Sequence, residues 1–314
     1  MVNYAIRRLL LLAPVLIGVS FTVFYLIHLA PGGPENAVLG MFATPEVLAG
    51  FRAKYQLDQP LLVQYVTWLG DVLRGDLGWS IFSQTDVGPF VIPKILPTVL
   101  LTSFALLIAA PLGIATGAVA AVRRGTRFDA LSRVFMLVGL SMPGFWLGIL
   151  FLMVFAVGLR LVPAGGYVPF EKDPIASLIS LFLPALTLAI PVAAVVSRVV
   201  RTAMLEALGQ EYVQTARSKG ISEQRVVVAH VLRNVSIPTI TVMGTMVGYL
   251  LGGSVLIESV FTIPGIGRGL VDAVTNRDYK VIQALVLMTS VAVVGVSLLV
   301  DLLYAYLDPR VRLR

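Results

Sequence analysis

Glu211 to Pro238 reads EYVQTARSKGISEQRVVVAHVLRNVSIP and lies between two long apolar runs. Leading into it, Leu205, Leu208, Gly209, Tyr212, Val213 and Ala216 recur at i, i+3, i+4, i+7, i+8 and i+11, which is one stripe on an α-helix. Glu206, Gln210, Gln214 and Arg217 fall on the opposite face. Gly220 suits the left-handed position that ends a helix, and Ser222 suits the cap that starts another. The spacing therefore predicts two short helices, the first from Leu205 to Lys219, meeting at a tight corner on a membrane surface. Small residues at that corner leave room for another protein, so the stretch reads as a docking loop.

Outward from this loop the chain is too apolar for a water-soluble domain. Hydrophobic residues make up 57% of it and charged residues 13%, with a mean hydropathy of +0.89. Six runs contain no Asp, Glu, Lys or Arg: Leu9 to Ala30, Ile95 to Val122, Val134 to Leu159, Pro174 to Ser197, Asn234 to Ile257 and Val281 to Val300. Each reaches the roughly 20 residues an α-helix needs to cross a bilayer. Pro111, Pro143, Pro184, Pro191 and the Gly252-Gly253 pair fall inside these runs, where a membrane helix tolerates them because neighbours satisfy the freed backbone groups.

The basic residues set the orientation. With a cytoplasmic N-terminus, the inner segments are the N-terminal tail (Arg7, Arg8), the loop from Arg123 to Arg133, the segment from Arg198 to Arg233 and the tail after Asp308. They hold 15 of the 24 Lys and Arg, whereas the outer segments mix nine bases with eleven acids. The positive-inside rule therefore places both termini in the cytoplasm. The net charge of +7 is then a sign of topology, and nucleic acid is not an expected partner. Leu9 to Ala30 is long for a signal-peptide core, and His28-Leu29-Ala30-Pro31 makes a poor cleavage site, so it is read as a retained first helix. No Cys is present, which rules out a disulfide framework.

The fold expected is an all-α polytopic membrane protein in two parts. Residues 1–94 form the first transmembrane helix and an extracytoplasmic segment, and residues 95–314 form a five-helix core interrupted by a cytoplasmic loop at about 201–236. In the outer segment, Pro31-Gly32-Gly33-Pro34 stops the first helix and Thr44-Pro45-Glu46 starts another. An amphipathic helix follows, with Leu61, Leu62, Tyr65, Val66, Leu69, Val72 and Leu73 as its apolar face. That face either packs on the bundle or binds a partner. Trp68, Arg74 and Asp76 beside it are candidate contacts for an extracytoplasmic protein.

Read together, several motifs resemble the integral-membrane permeases of bacterial ABC importers, and more closely the first permease of the dipeptide, oligopeptide and nickel branch. They are EYVQTARSKG with Asn234-Val235-Ser236-Ile237-Pro238, LDQPLLVQYVTWLGDVLRGDLGWS, Ser141-Met142-Pro143-Gly144-Phe145-Trp146, Leu161-Val162-Pro163-Ala164-Gly165-Gly166, and Glu258-Ser259-Val260-Phe261 before Pro264-Gly265-Ile266-Gly267. The loop resembles the "EAA" docking loop of those subunits, with departures. Gln214, Thr215 and Ala216 stand where the general pattern has Glu-Ala-Ala, and Pro238 lies 18 residues beyond Gly220, further than usual. The peptide branch shows similar departures.

The resemblance implies a type I importer permease with six transmembrane helices in the bacterial inner membrane. Such a chain pairs with a second, homologous permease, and two cytoplasmic ATPases bind ATP and Mg. A solute-binding protein outside delivers peptides or a related small solute. On this reading Glu211, Tyr212, Thr215, Ala216, Arg217, Lys219 and Gly220 couple the chain to an ATPase. Ala216 and Gly220 would allow close approach, Tyr212 would fill a pocket, and Glu211, Arg217 and Lys219 would set register. Ser141, Pro143, Phe145, Trp146, Gly252 and Gly253 are candidates for the pathway or gate, with a kinked, packed helix as the alternative role of Pro143, Phe145 and Trp146. The chain itself carries no G-x-x-x-x-G-K-[ST] phosphate loop and is expected to bind no cofactor or metal.

Three other readings compete. The docking loop can be an amphipathic connector held on lipid headgroups by Arg217, Lys219 and Arg225. The whole chain can be a secondary transporter or channel driven by an ion gradient, but such proteins carry intramembrane acids or bases, and the six runs have none. A membrane enzyme lacks support, since the two His residues, His28 and His230, belong to no cluster with metal-ligand spacing. His28 reads as an interfacial side chain, and Asp301 as a partner for an inner-face Arg.

Overall fold

The computed structural model describes residues 2–28, 44–54, 57–80 and 82–307. It is almost wholly helical: α1 (Val2–His28), α2 (Pro45–Lys54), α3 (Leu61–Leu73), α4 (Val87–Val91), α5 (Ile95–Val122), α6 (Arg127–Ser141), α7 (Gly144–Phe151), α8 (Pro174–Leu208), α9 (Glu211–Ser218), α10 (Glu223–Arg225), α11 (Leu232–Val260), α12 (Ile266–Thr275) and α13 (Tyr279–Leu307). Wider π-helical turns continue α7 over Leu152–Gly158 and join α10 to α11 over Val226–Val231. Two short strands, β1 (Trp79–Ser80) and β2 (Thr85–Asp86), pair antiparallel in the register Trp79 with Asp86 and Ser80 with Thr85. The PGGP stop and the basic tail after Asp308 lie outside the described residues.

Among the described residues, four helical stretches are long and apolar enough to cross a membrane: Val87–Val122, Pro174–Leu208, Glu223–Val260 and Tyr279–Val300. The third expected span is different. Val134 to Leu159 is not one helix but a pair, α6 and α7, bent by 108°. Pro143 followed by Gly144 marks the break: the proline ring disfavours the helical region for the residue before it, and Met142 is extended at ψ 128°. Pro14, Pro111, Pro184, Pro191 and Pro238 stay inside continuous helices. The described apolar part of α1, Leu10–Leu26, is shorter than the four long stretches.

The chain divides into two compact units, each made of separate segments. One comprises residues 1–5, 98–263 and 295–314; the other comprises 6–97 and 264–294. The second unit thus groups residues from both sides of the 94/95 boundary.

The first unit is organised around α8. Leu181, Leu188, Val192, Val196, Val200 and Met204 are buried on it, with Ala185, Ala189 and Ala193 between them. α6, α7 and α11 all pack on it, while Ile175, Leu178, Ile179 and Phe182 near its start stay exposed. Close approach rests on glycine: a Cβ at Gly113 would lie 2.7 Å from Val196 Cβ, and one at Gly139 2.9 Å from Ala194 Cβ. The second unit has two apolar clusters. In one, Phe24 and Tyr65 enclose Trp68, with ring centroids 5.6 and 6.1 Å from the indole. In the other, Val87 and Val91 meet Ile266, Ala273, Val281 and Leu285. Asp278 ties the β-hairpin down by accepting a 2.5 Å bond from Ser80 Oγ, while Ser83 donates its N–H and hydroxyl to the same oxygen.

Candidate functional site

The helix that enters the docking loop stops earlier than its spacing suggests. α8 ends at Leu208, Gly209 caps it, and Gln210 is extended at ψ 152° before α9 begins at Glu211. The expected helix from Leu205 to Lys219 is therefore two helices with a break at Gly209-Gln210. Glycine weakens a helix by about 1 kcal/mol relative to Ala and gives the chain its exit there. Downstream, Gly220 takes φ +77° as expected. Its N–H bonds Arg217 O at 2.9 Å and the Ile221 N–H bonds Ala216 O at 3.3 Å, the paired closure of a Schellman motif. Ser222 has the extended backbone of an N-cap, but its hydroxyl makes no capping bond.

Burial separates the expected coupling residues into two faces. Val213 is fully buried and Ala216 nearly so, in the apolar cluster that includes Met204, Val226 and Val231. Ala216 therefore seats α9 on its own chain and is not open to close approach by a partner. Glu211, Tyr212, Thr215, Arg217, Lys219 and Gly220 are exposed on the other side. An ideal Cβ on Gly220 meets no atom within 4 Å, so this corner is open.

The exposed face is braced from within. Asn234 Nδ2 donates to Tyr212 Oη at 3.1 Å, joining α9 to the start of α11. Arg217 reaches across the corner to Glu223 with Nε–Oε2 at 3.0 Å and Nη2–Oε1 at 2.5 Å. That carboxylate raises the pKa of the Arg217 guanidinium above its ordinary value. Thr215 Oγ1 bonds back to Glu211 O at 3.0 Å. Tyr212 and Arg217 are thus each tied to another side chain of the loop or of α11.

The pathway candidates are dispersed. Pro143 stands at the 108° bend, with Ser141 on one side and Phe145 and Trp146, both 44% exposed, on the other. Gly252 has nothing within 4 Å of an ideal Cβ, and Gly253 faces Leu188. On α7 the residue that requires close approach is Gly148, against Phe261 and Thr187.

Of the outer candidates, Trp68 is only 6% exposed and packs in the α1–α3 cluster, so it is not a surface contact. The buried side of α3 is Tyr65 and Trp68, with Leu69 and Val72 partly buried, whereas Leu61, Leu62, Val66 and Leu73 are exposed. Arg74 and Asp76 are exposed. Arg74 lies 3.6 Å from Asp71, and Asp76 Oδ1 accepts from the Gly78 N–H at 2.8 Å.

One constellation was not anticipated from the sequence. Asp129, in the first turn of α6, is buried with its side chain 3% exposed and accepts from Arg201 of α8 through Nε at 2.8 Å and Nη2 at 3.2 Å. The Gly125 N–H donates to it at 3.1 Å, and Arg133 Nε lies 3.9 Å away. The signal available was a lone acid in a loop of four Arg.

A family model described as "Binding-protein-dependent transport system inner membrane component" matches residues 113–313, and one for the N-terminal part of such membrane components matches residues 1–86. The chain is 41% identical over 312 residues to the glutathione transport system permease protein GsiC of Salmonella paratyphi A, covering 99% of each chain. It is 38% identical over 333 residues to the dipeptide transport system permease protein DppB of Alkalihalophilus pseudofirmus, covering 99% of this chain and 100% of that one. A probable peptide ABC transporter permease of Sinorhizobium fredii is 38% identical over 309 residues. Among solved structures, a chain of the MetNI methionine ABC transporter in an inward-facing conformation superposes with a TM-score of 0.56 at 15% identity, covering 69% of this chain and 95% of that one.

Proposed function

The chain belongs to the family of inner membrane components of binding-protein-dependent transport systems, and from that membership we propose that it forms half of the translocation pathway of an ATP-driven importer for peptides or a related small solute. It is a multi-pass membrane transport subunit and not an enzyme. The observation that carries the substrate class is full-length likeness, at 38 to 41% identity, to permeases named for glutathione, dipeptides and peptides. The same likeness favours ATP-driven import over an ion-gradient-driven carrier or channel. Its partners in this reading are a second homologous permease, two cytoplasmic ATPases that bind the ATP and Mg, an extracytoplasmic binding protein, and the lipid of a bacterial inner membrane. Native mass spectrometry of the cognate binding protein tests the substrate class: a bound peptide or glutathione supports it, and a bound sugar overturns it.

The exposed face of α9 supports docking to an ATPase at Glu211, Tyr212, Thr215, Arg217, Lys219 and Gly220. Ser141, Pro143, Phe145, Trp146, Gly252 and Gly253 are proposed for the pathway. The segregation of Lys and Arg supports six spans with both termini cytoplasmic. Reporters fused after Arg314 and inserted near Arg124 should then read as cytoplasmic, and one near Thr85 as external. An external reading at Arg314 would sink the six-span topology.

Arg74 and Asp76 are proposed as rim contacts for the binding protein. Rim charges chiefly tune association. Arg74→Glu with Asp76→Lys should raise the binding-protein concentration for half-maximal ATPase stimulation by about tenfold at low salt, with basal hydrolysis unchanged. An unmoved stimulation curve removes these residues from the contact.

A further inference from the structure

We propose that the Arg201–Asp129 fork is a strut that makes the 123–126 turn and α6 move as one body with the end of α8, so that displacement entering at α9 reaches the Met142-Pro143 bend. The inference rests on the docking of α9 to an ATPase proposed above.

The geometry is that of a mechanical joint rather than a surface ion pair. Both guanidinium bonds end on one carboxylate, with the Asp129 side chain 3% and the Arg201 side chain 20% exposed. A two-point fork fixes orientation as well as distance, which a single contact does not. Asp129 is in turn held to its own loop: Gly125 donates its N–H to Oδ2, and Thr126 Oγ1 accepts the Asp129 N–H at 3.5 Å as helix cap. Gly125 takes φ +81° to aim that N–H inward. The loop, the first turn of α6 and Arg201 therefore share one hydrogen-bonded node.

The position of the node gives it a role. Arg201 lies two turns before the end of α8, and the break at Gly209-Gln210 is followed directly by α9. On the far side, α6 runs from the node to Met142-Pro143, where the chain turns by 108° into Phe145 and Trp146. A buried ion pair is weak grounds for stability, because desolvation offsets much of its attraction; its better attested use is to fix one arrangement among several. Here the arrangement fixed is α6 against α8. Without the fork, α6 would be held to α8 by apolar packing that permits sliding, such as Gly139 on Ala194.

The chain contains no Cys, so Ala130→Cys and Glu206→Cys, both at exposed positions, introduce two labelling sites in the full complex. Spin-label distances would be measured without nucleotide and after trapping with ATP and vanadate. The strut predicts one label separation that is the same in both states. With Arg201→Gln added, the separation should broaden and shift by about 2 Å or more between states, while the complex remains assembled and hydrolyses ATP. If Arg201→Gln fails to assemble, Asp129→Asn with Arg201→Gln removes both charges together and leaves no buried ion unpaired. A separation that changes with nucleotide in the starting complex overturns the strut, as does one left sharp and unchanged when the fork is removed. A parallel Gly220→Trp complex separates the two ideas: normal transport by it rejects the docking of α9, whereas its loss of transport beside an unaffected distance in the fork variants rejects the strut alone.

Discussion

Gly220→Trp should abolish ATP-driven import while the chain still inserts and folds. The backbone at this position has φ +77°, where any residue with a Cβ is disfavoured by about 1–2 kcal/mol. That is a fraction of a domain's stability. The side chain itself meets no internal obstacle, because an ideal Cβ here has no atom within 4 Å. The indole would instead project from the exposed corner between α9 and α10, where the partner ATPase is proposed to seat. The expected readouts are loss of ATPase subunits on purification of the complex, or loss of transport-linked hydrolysis. Gly220→Asn separates conformation from bulk, since Asn tolerates the left-handed region and adds only a short side chain. It should retain most transport. Normal import by the Trp variant would refute the docking assignment, and equal failure of both variants would move the cause from the partner to the backbone.

The features legible in the sequence are those whose cause is local. Helical spacing put Val213 and Ala216 on one face, and both are buried together. Gly220 was identifiable because the positive φ that ends a helix is taken chiefly by Gly, and less often by Asn. Charge-free runs located the apolar helices because exclusion of charge from lipid acts residue by residue. The same spacing also misled: Gly209 fitted the stripe and hid the end of α8, although its weak helix preference was a warning.

The features missed depend on neighbours distant in sequence. Five prolines stay within continuous helices, yet Pro143 breaks one. Its local mark is the Pro143-Gly144 pair after Met142, a turn dipeptide that the other five lack, and a kinked helix is one of the two readings the sequence leaves open there. An amphipathic helix does not state what covers it, so the sequence leaves Trp68 among the surface candidates. Phe24 and Tyr65 cover it, with Ser20 and Tyr65 hydroxyls 2.8 Å apart holding α1 to α3. Asp129 and Arg201 are 72 positions apart, and no periodicity links residues across such a distance.

Gly117→Ala should destabilise the chain, even though Ala is the better helix former. A Cβ built on Gly117 would lie 2.5 Å from the Ser197 carbonyl oxygen and 2.9 Å from Val200 Cβ. One of these obstacles is backbone, so no rotamer change relieves it and α5 must shift away from α8. That shift strains the 3.0 Å bond between Thr116 Oγ1 and Ser197 Oγ in the same interface. Overpacking of this kind costs about 1–3 kcal/mol, which outweighs the ~1 kcal/mol that Gly→Ala returns in helix preference. Gly248→Ala on α11 is the matched control, because its Cβ meets nothing within 4 Å; it should leave stability unchanged or raise it by about 0.4–1 kcal/mol. Gly117→Leu carries the same conflict to its limit, since a branched side chain has no space between two helices already in backbone contact, and assembled complex should be lost. Thermal melts of the purified complexes should therefore rank Gly248→Ala at or above the starting protein, Gly117→Ala below it, and Gly117→Leu lowest or absent. A parental melting temperature for Gly117→Leu would show that α5 and α8 do not approach as closely as this packing requires.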